Sequence, residues 1–314
     1  MNTQNIFIYI TTVLIWGSTW LAIKYQIGDV DPLISIGYRF ALASATLIVW
    51  CWIKGLRMRF SRKDHLFMAL QGLFLFSTNY WLVYVSELYL TSGLVAVTHS
   101  TIIFMNVING FILLGSPVRL STIVGAVMGL SGIGLIFWPE ISSFSLADKN
   151  FYALALSFLA AFLASVGNIV SARNQNHRLP VIQTNAFGMG YGALLLLILA
   201  MVTGKSFSIP MTLPFISALI YLAVFGSIAG FGLYLTLLGR IGADKAAYAI
   251  MVVPVVALAI STVFEGYVWT LPAATGLVLV LAGNMTALKG RSDKNLTLKN
   301  GILSILTRTG NTGN

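Results

Sequence analysis

The chain has 314 residues, of which 57% are hydrophobic and only 9% are charged, and its formal net charge is +10. A soluble globular domain carries roughly 25% charged residues, so this composition excludes an ordinary soluble fold and indicates a protein whose solvent is the lipid bilayer. The basic residues fall in short loops between apolar runs, which argues against nucleic acid as a partner. The single cysteine, Cys51, excludes an intrachain disulfide and a multi-cysteine metal site.

Ten apolar runs follow one another along the chain, each close to the roughly 20 residues that a membrane-spanning helix needs. Helix is the expected conformation, because lipid cannot satisfy open backbone groups and the runs lack the period-2 alternation of strands. The first run has no basic region before it and no small-residue cleavage pattern after it, so we expect a retained span. The predicted spans are 6–23, 32–53, 66–86, 92–114, 120–139, 151–172, 181–204, 215–238, 246–264 and 267–288.

Lysine and arginine are distributed unevenly between the two sides of these spans. If the N-terminus is cytoplasmic, the 19 basic residues all lie in cytoplasmic segments except Lys24, Arg39, Lys149 and Lys205. Because Lys and Arg concentrate on the cytoplasmic side of membrane proteins, we predict that both termini are cytoplasmic and that the number of spans is even.

Two segments with the same glycine spacing indicate an internal repeat. Gly125 and Gly132 lie in the fifth predicted span, and Gly276 and Gly283 lie in the tenth. A repeat of five spans starts on opposite sides of the membrane, so the halves would be inverted, a recurring transporter design with the substrate site between them near the midplane. The predicted organisation is all-α, with ten transmembrane helices in two inverted five-helix repeats, 1–144 and 145–289, and a basic cytoplasmic tail, 290–314.

Several short segments together resemble a known family. They are Trp16-Gly-Ser-Thr-Trp20, Tyr38-Arg39-Phe40, the stretch from Asn79 to Tyr84, Thr91-Ser92-Gly93, Pro254 and the Gly276 to Gly283 segment. Over about residues 5–290 the chain resembles the EamA-type transporters of the drug/metabolite transporter superfamily. The resemblance implies ten helices, an inverted repeat, a bacterial inner (plasma) membrane location, and export of amino acids, related metabolites or drugs.

The chain also departs from this family at one motif. The family often has Gly-Glu after the fourth and ninth spans, whereas the first copy here reads Gly115-Ser116 and only the second keeps an acid, Glu265. The departure weakens any role that depends on paired acids.

Arg39 is the one charged residue inside the predicted spans. An ionisable residue in a span is costly and is a functional-site hypothesis by default, and its fork can bind a carboxylate through two hydrogen bonds. The alternatives are an arginine that snorkels to the outer interface or one that bonds helix carbonyls. We predict a substrate-binding role for Arg39, with a small molecule that carries a carboxylate as the partner.

Other polar and aromatic positions in the spans extend this predicted site. His99 shares a helix face with Asn106, and a polar face on a lipid-embedded helix should turn toward a cavity or another helix. Trp16 lies too deep for interface anchoring and is expected to line the cavity, where it could hold apolar or cationic groups. The remaining candidates, which suit an amphipathic small molecule, are Asn79, Tyr80, Tyr84, Asn168, Tyr234 and Tyr248.

Glycine spacing also predicts how the helices pack. Gly-x3-Gly pairs begin at Gly125, Gly188 and Gly226, and this spacing is typical of helices that approach closely in membranes. Pro254 in the ninth span predicts a kink.

Motifs for chemistry are missing from the sequence. It contains no P-loop, no Gly-x-Ser-x-Gly, no His-Glu-x-x-His and no Cys/His cluster, so we expect neither an enzyme nor a cofactor or metal. All nine Asp and Glu residues lie in loops or at span ends, which predicts no buried carboxylate. Coupling could then involve His99, Glu87, Glu265 or no ion at all.

Three functions remain open at this point. A secondary exporter fits the repeat best, while a membrane enzyme acting on lipid-linked substrates and a non-transporting sensor or assembly factor are the alternatives. The substrate, the transport direction and the choice between a monomer and a homodimer are left open by the sequence.

Overall fold

The computed structural model describes residues 3–28, 30–114, 120–138, 149–241 and 243–287. The regular secondary structure of these residues is helical throughout. We label the helices α1 (Thr3–Lys24), α2 (Pro32–Ile53), α3 (Arg62–Glu87), α4 (92–114), α5 (Leu120–Ile136), α6 (Lys149–Asn176), α7 (Val181–Val202), α8 (213–241), α9 (Ala243–Phe264) and α10 (Leu271–Ala287).

Seven of the described helices are long and apolar enough to cross a membrane, namely α1, α2, α3, α4, α6, α7 and the Leu213–Tyr234 part of α8. Shorter apolar helices cover Leu120–Ile136, Ala249–Phe264 and Leu271–Ala287. Every predicted span coincides with one of these helices, and the ends differ by a few residues. The prediction of an all-helical membrane protein is therefore confirmed.

Helix starts follow local chemistry. Pro32 begins α2, where its missing N–H costs nothing, and the Asp31 side chain accepts a hydrogen bond from the Leu33 N–H at 3.0 Å. Ser61 and Asp64 form a capping box, which starts α3 four residues before the predicted span.

Two helices contain a wider turn that the sequence did not predict. The segment Phe74–Thr78 of α3 and the segment Leu222–Ala229 of α8 are π-helical. Hydroxyl groups bond back over five residues in both, from Thr78 to the Leu73 carbonyl at 2.7 Å and from Ser227 to the Leu222 carbonyl at 3.0 Å. Such turns bend a helix and are frequent at functional sites.

Close packing of the bundle depends on glycine at two helix crossings. A Cβ atom at Gly125 of α5 would lie 2.5 Å from the Gly283 carbonyl oxygen of α10, and one at Gly132 would lie 2.5 Å from the Gly276 oxygen. At the crossing of α2 with α7, a Cβ atom at Gly190 would lie 2.8 Å from the Ser44 hydroxyl. The backbones of α5 and α10 are therefore in contact, as the glycine spacing in α5 predicts, while at the α2–α7 crossing the glycine faces a small side chain.

Candidate functional site

Arg39 lies in the core of the bundle, between α2 and α8. Its side chain is only 2% exposed, so the snorkelling alternative is wrong for this residue. The guanidinium Nε donates to the Ser227 hydroxyl at 3.3 Å. Its carbon lies 4.6 Å from the ring centre of Tyr80 and 5.0 Å from that of Phe40, within cation–π range.

One nitrogen of this guanidinium has no hydrogen-bond acceptor. The Nη1 atom of Arg39 is buried and has no hydrogen-bond partner, although a buried donor on a charged group costs free energy when it is left unpaired. The Tyr84 hydroxyl interacts electrostatically with the same guanidinium and donates to the Gln26 side-chain oxygen at 2.8 Å. The group can therefore still accept an anionic partner, and a carboxylate is the natural complement of an arginine fork.

The π turn of α8 makes room for this arginine. Gly226 has no side chain, and a Cβ atom there would lie 3.5 Å from Arg39 Nη2 and 2.9 Å from the Thr19 methyl carbon. The next residue, Ser227, donates to Leu222 and accepts from Arg39, so one hydroxyl ties the arginine to the turn. Neither residue was predicted as part of the site.

Trp16 occupies the neighbouring space between α1 and α8. Its indole N–H donates to the Gly226 carbonyl at 3.2 Å, and its ring lies 5.2 Å from Tyr234 and 5.6 Å from Phe231. Gly230 has Trp16 as its nearest neighbour. The Gly226-x3-Gly230 pair therefore accommodates side chains instead of a second backbone, unlike the packing role predicted for it.

Aromatic rings connect the surroundings of Arg39 with those of Trp16. Phe231 lies 5.9 Å from Phe76, Phe76 lies 5.5 Å from Phe40, and Phe40 lies 4.9 Å from Tyr80. We call Trp16, Arg39, Tyr80, Gly226 and Ser227 the arginine site. It combines one cation with several aromatic faces, which suits a molecule with an anionic end and an apolar body.

The other predicted residues lie in separate contacts. The His99 ring is 5.4 Å from Trp20 of α1, and its Nδ1 atom is buried without a hydrogen-bond partner. Asn168 donates to the Asn106 side-chain oxygen at 3.3 Å, which pairs α6 with α4. Asn79 donates to the Leu75 carbonyl of its own helix at 3.2 Å.

The side chain of Tyr248 lies outside the described residues, although its backbone belongs to α9. Tyr84 lies beside the arginine site, because its hydroxyl interacts with the Arg39 guanidinium. The structure thus brings Arg39, Tyr80 and Tyr84 together directly, and Trp16 and Tyr234 reach them through phenylalanine rings.

At one end of the bundle, the predicted outer end, a set of charged and polar groups joins α1, the turn after α3, the start of α4 and the segment after α9. Lys24 of α1 donates to the carbonyls of Glu87 and of Leu90, the latter at 2.7 Å, and lies 3.7 Å from a Glu265 carboxylate oxygen. Both Glu265 oxygens accept from the Ser92 N–H at 3.1 Å, and the Ser92 hydroxyl donates to the same carboxylate. We call these five residues the outer lock.

The prediction that no carboxylate is buried is wrong for Glu87. Its side chain is 0% exposed, and neither carboxyl oxygen has a hydrogen-bond partner. The Lys24 side chain, 63 positions away along the chain, reaches the carbonyl groups of Glu87 and Leu90 at this helix end.

A second polar group lies on the other side of the bundle. Gln71 of α3 donates to the Asn185 side-chain oxygen at 2.9 Å and accepts from Asn174 of α6 at 3.0 Å. We call these three buried residues the glutamine network. The two bonds join α3, α6 and α7.

Comparison with known proteins gives the same family as the sequence motifs. The family model described as "EamA-like transporter family" matches residues 4–138 and again residues 151–288. Salmonella typhimurium Protein PagO is 22% identical over 303 residues, which cover 93% of this chain and 97% of the relative. A Salmonella typhimurium protein named "Probable amino-acid metabolite efflux pump" is 23% identical over 302 residues, covering 90% and 94%.

A solved crystal structure has the same fold. It superposes with a TM-score of 0.66 at 18% sequence identity and covers 91% of this chain and 97% of its own chain. At this level of identity the likeness speaks for the fold alone.

Proposed function

The chain belongs to the EamA-like transporter family, and from that premise we propose that it exports amino acids or related small metabolites by alternating access between two inverted repeats. As a member of this family it is an integral membrane protein that handles a small molecule. The observation that carries the proposed substrate class is the buried Arg39 guanidinium, whose Nη1 lacks a partner beside the Tyr80 ring. The amino-acid efflux pump among its relatives supports the same class.

The arginine site supports a zwitterionic or anionic substrate with an apolar part. A substrate carboxylate would satisfy the free Arg39 donor, while the rings of Trp16 and Tyr80 would pack on the apolar part. His99, Asn106 and Asn168 are proposed as further lining groups, because each is only partly buried and lies on α4 or α6.

Reciprocal contacts support the inverted repeat. Gly125 meets Gly283 while Gly132 meets Gly276, and Gly37 meets Leu197 while Ser44 meets Gly190. A twofold axis that exchanges the first half with the second would turn each contact of a pair into the other. We propose repeats at 1–144 and 145–289, whose boundary falls outside the described residues, as does the tail 290–314.

The π turns support the same division. They lie in α3 and α8, the third helix of each proposed repeat. A wider turn at the same place in both repeats gives the bundle two related bends, about which one half could rock against the other.

The proposed orientation follows from charge. With both termini in the cytoplasm, the outer lock faces the outside and the arginine-rich loops face the inside. The bacterial inner membrane is the proposed location. The alternative function is that of a membrane enzyme or sensor, and measured transport of a substrate would argue against it.

The direct test is counterflow in proteoliposomes of purified protein, with radiolabelled phenylalanine, leucine and threonine as probes and phenethylamine, which lacks a carboxylate, as competitor. We expect counterflow of at least one amino acid and weak competition by the amine. Arg39→Lys should lower the rate about 10- to 100-fold, because hydrogen bonds to charged groups are worth about 1.5–3 kcal/mol.

Arg57→Lys is the matched control, since Arg57 is exposed in the loop after α2. Its counterflow should equal that of the unchanged protein. Folded protein that moves none of the probes would contradict the proposed substrate class, and equal rates for Arg39→Lys and the control would remove Arg39 from the site.

A further inference from the structure

Glu87 is a buried titratable group that the proposed substrate site does not use. It ends α3, and only its carbonyl group takes part in the outer lock, since its two carboxyl oxygens have no hydrogen-bond donor. The charged and titratable groups that face it are Lys24 of α1, Arg39 of α2, Tyr84 of its own helix and Glu265 beyond α9. On the side of α6, Lys149 is engaged with the Tyr89 ring at 5.7 Å.

Lys24 gives the Glu87 carboxyl group no hydrogen bond in this conformation. An ammonium group has three N–H donors, and Lys24 already has three oxygen acceptors nearby, the carbonyls of Glu87 and Leu90 and the carboxylate of Glu265. A carboxylate ion that is buried without hydrogen bonds is strongly disfavoured. The closed lock therefore favours a neutral, protonated Glu87.

We propose that Glu87 is a proton-binding site that controls the outer lock, so that protonation of Glu87 closes the predicted outer end and deprotonation opens it. This inference rests on the proposed alternating access. On opening, the carboxylic acid releases its proton to outside water, and the carboxylate takes a proton back before the lock closes. No net proton crosses the membrane in this step.

The geometry provides two reasons for opening. An ionised Glu87 needs water or a cation, and an open end supplies water. It also competes for Lys24 with Glu265, which is 3.7 Å from the ammonium. Once Lys24 turns to Glu87, the ion pair that joins α1 to the segment after α9 is lost. Because the closed state holds the proton more tightly, linkage requires that closure increase as pH falls.

Occupancy of the site can be tested without a substrate. Dicyclohexylcarbodiimide reacts with protonated carboxyl groups in apolar surroundings, so the purified protein is labelled across a pH series and its peptides are weighed by mass spectrometry. We expect modification at Glu87 that decreases as pH rises. We expect none at Asp31, a carboxylate at the start of α2 that forms an ion pair with Lys205 at 2.8 Å. No modification of Glu87 at any pH would overturn the proposal.

Opening of the lock can be measured with maleimide on protein in nanodiscs. Leu90→Cys reports opening, because Leu90 is buried at the lock, and Leu88→Cys two residues away is the reference, because Leu88 is exposed. Both are made with Cys51→Ser. The Leu88→Cys rate corrects for the general rise of thiol reactivity with pH, and we expect the ratio of the two rates to rise several-fold with pH and to lose this rise in Glu87→Gln.

Two matched substitutions then separate the carboxyl groups of the lock. Glu87→Gln fixes the neutral form and should keep the ratio low at every pH, whereas Glu265→Gln weakens the hold on Lys24 and should raise it at every pH. A ratio that is flat with pH before substitution, an unchanged pH dependence in Glu87→Gln, or an unchanged ratio in Glu265→Gln would each overturn the proposal. None of these outcomes depends on finding a transported substrate, so failure of the counterflow test remains a separate result.

Discussion

Two junctions in this bundle each bring three helices together and are packed in opposite ways. In one, α6 and α7 meet α3, where a Cβ atom at Gly192 would lie 2.9 Å from the Gly72 carbonyl and one at Gly167 would lie 2.7 Å from Leu75. In the other, α1 and α2 meet α8, and Trp16 and Arg39 occupy the space beside Gly226 and Gly230. The first junction is a contact of backbones, and the second is a contact of large side chains.

The difference in packing indicates that the α3 junction supports the structure and the α8 junction recognises a ligand. At the α3 junction the polar groups of the glutamine network bond to one another, which leaves little for a ligand to gain. At the α8 junction a cationic donor is left without a partner, so a ligand that satisfies it gains free energy. We infer that the α3 junction holds its helices together while the α8 junction binds the substrate.

The strongest test of these two roles is to add a methyl group, by a Gly→Ala substitution, at each junction. In Gly72→Ala the new Cβ atom would meet the Gly188 carbonyl oxygen, which is backbone of α7 and cannot move alone. Overpacking of this kind costs about 1–3 kcal/mol, so we expect a lower thermal unfolding temperature and a reduced yield of folded protein.

Gly226→Ala is the partner experiment. Its Cβ atom would meet side-chain atoms of Thr19 and Arg39, which can shift. We expect nearly unchanged thermal unfolding but weaker amino-acid counterflow, because the added methyl group takes up space beside the guanidinium, 3.5 Å from Arg39 Nη2. Equal losses of stability in the two variants would show that both junctions are structural.

A second prediction sharpens the supporting role of the α3 junction. Gln71→Leu leaves the partner groups of Asn185 and Asn174 unpaired in the core. Interhelical hydrogen bonds in membranes average about 0.6 kcal/mol, so two of them predict a stability loss of about 1–2 kcal/mol, with substrate affinity unchanged.

The control for this change is Gln175→Leu. Gln175 is exposed and bonds only weakly within its own helix, to Ser171 at 3.5 Å. Unfolding followed by temperature or denaturant should distinguish the two variants. A shift in the substrate affinity of Gln71→Leu would mean that the glutamine network belongs to the site.

Sequence reasoning found the part of the site that local rules reveal. Arg39 stands out because a charge inside an apolar run is costly wherever the helix lies, and Trp16 stands out by its depth. The helices themselves follow from the length of the apolar runs. Each of these features can be recognised within a single segment of the sequence, so recognising them does not require knowing which helices are in contact.

The missed residues depend on contacts between distant segments. Ser227 is an ordinary serine until the α8 turn carries it to Arg39, which is 188 positions away. Gly226 and Gly230 have the spacing of a packing motif, and only the neighbouring side chain of Trp16 gives them another role. Glu87 lies at a span end in the sequence, and its burial is visible only once the helices are packed.

The smallest effect we predict compares two buried serines, one at each kind of contact. Ser227→Ala removes the acceptor of Arg39 Nε at 3.3 Å, while Ser44→Ala removes a bond to the Ala186 carbonyl at 2.7 Å where α2 crosses α7. Each should cost no more than about 1 kcal/mol of stability. Only Ser227→Ala should also lower substrate affinity, by a few fold, since it frees the guanidinium from the α8 turn. Counterflow measured over a range of amino-acid concentrations separates the two, and equal affinities would mean that Arg39 keeps its position without the hydroxyl.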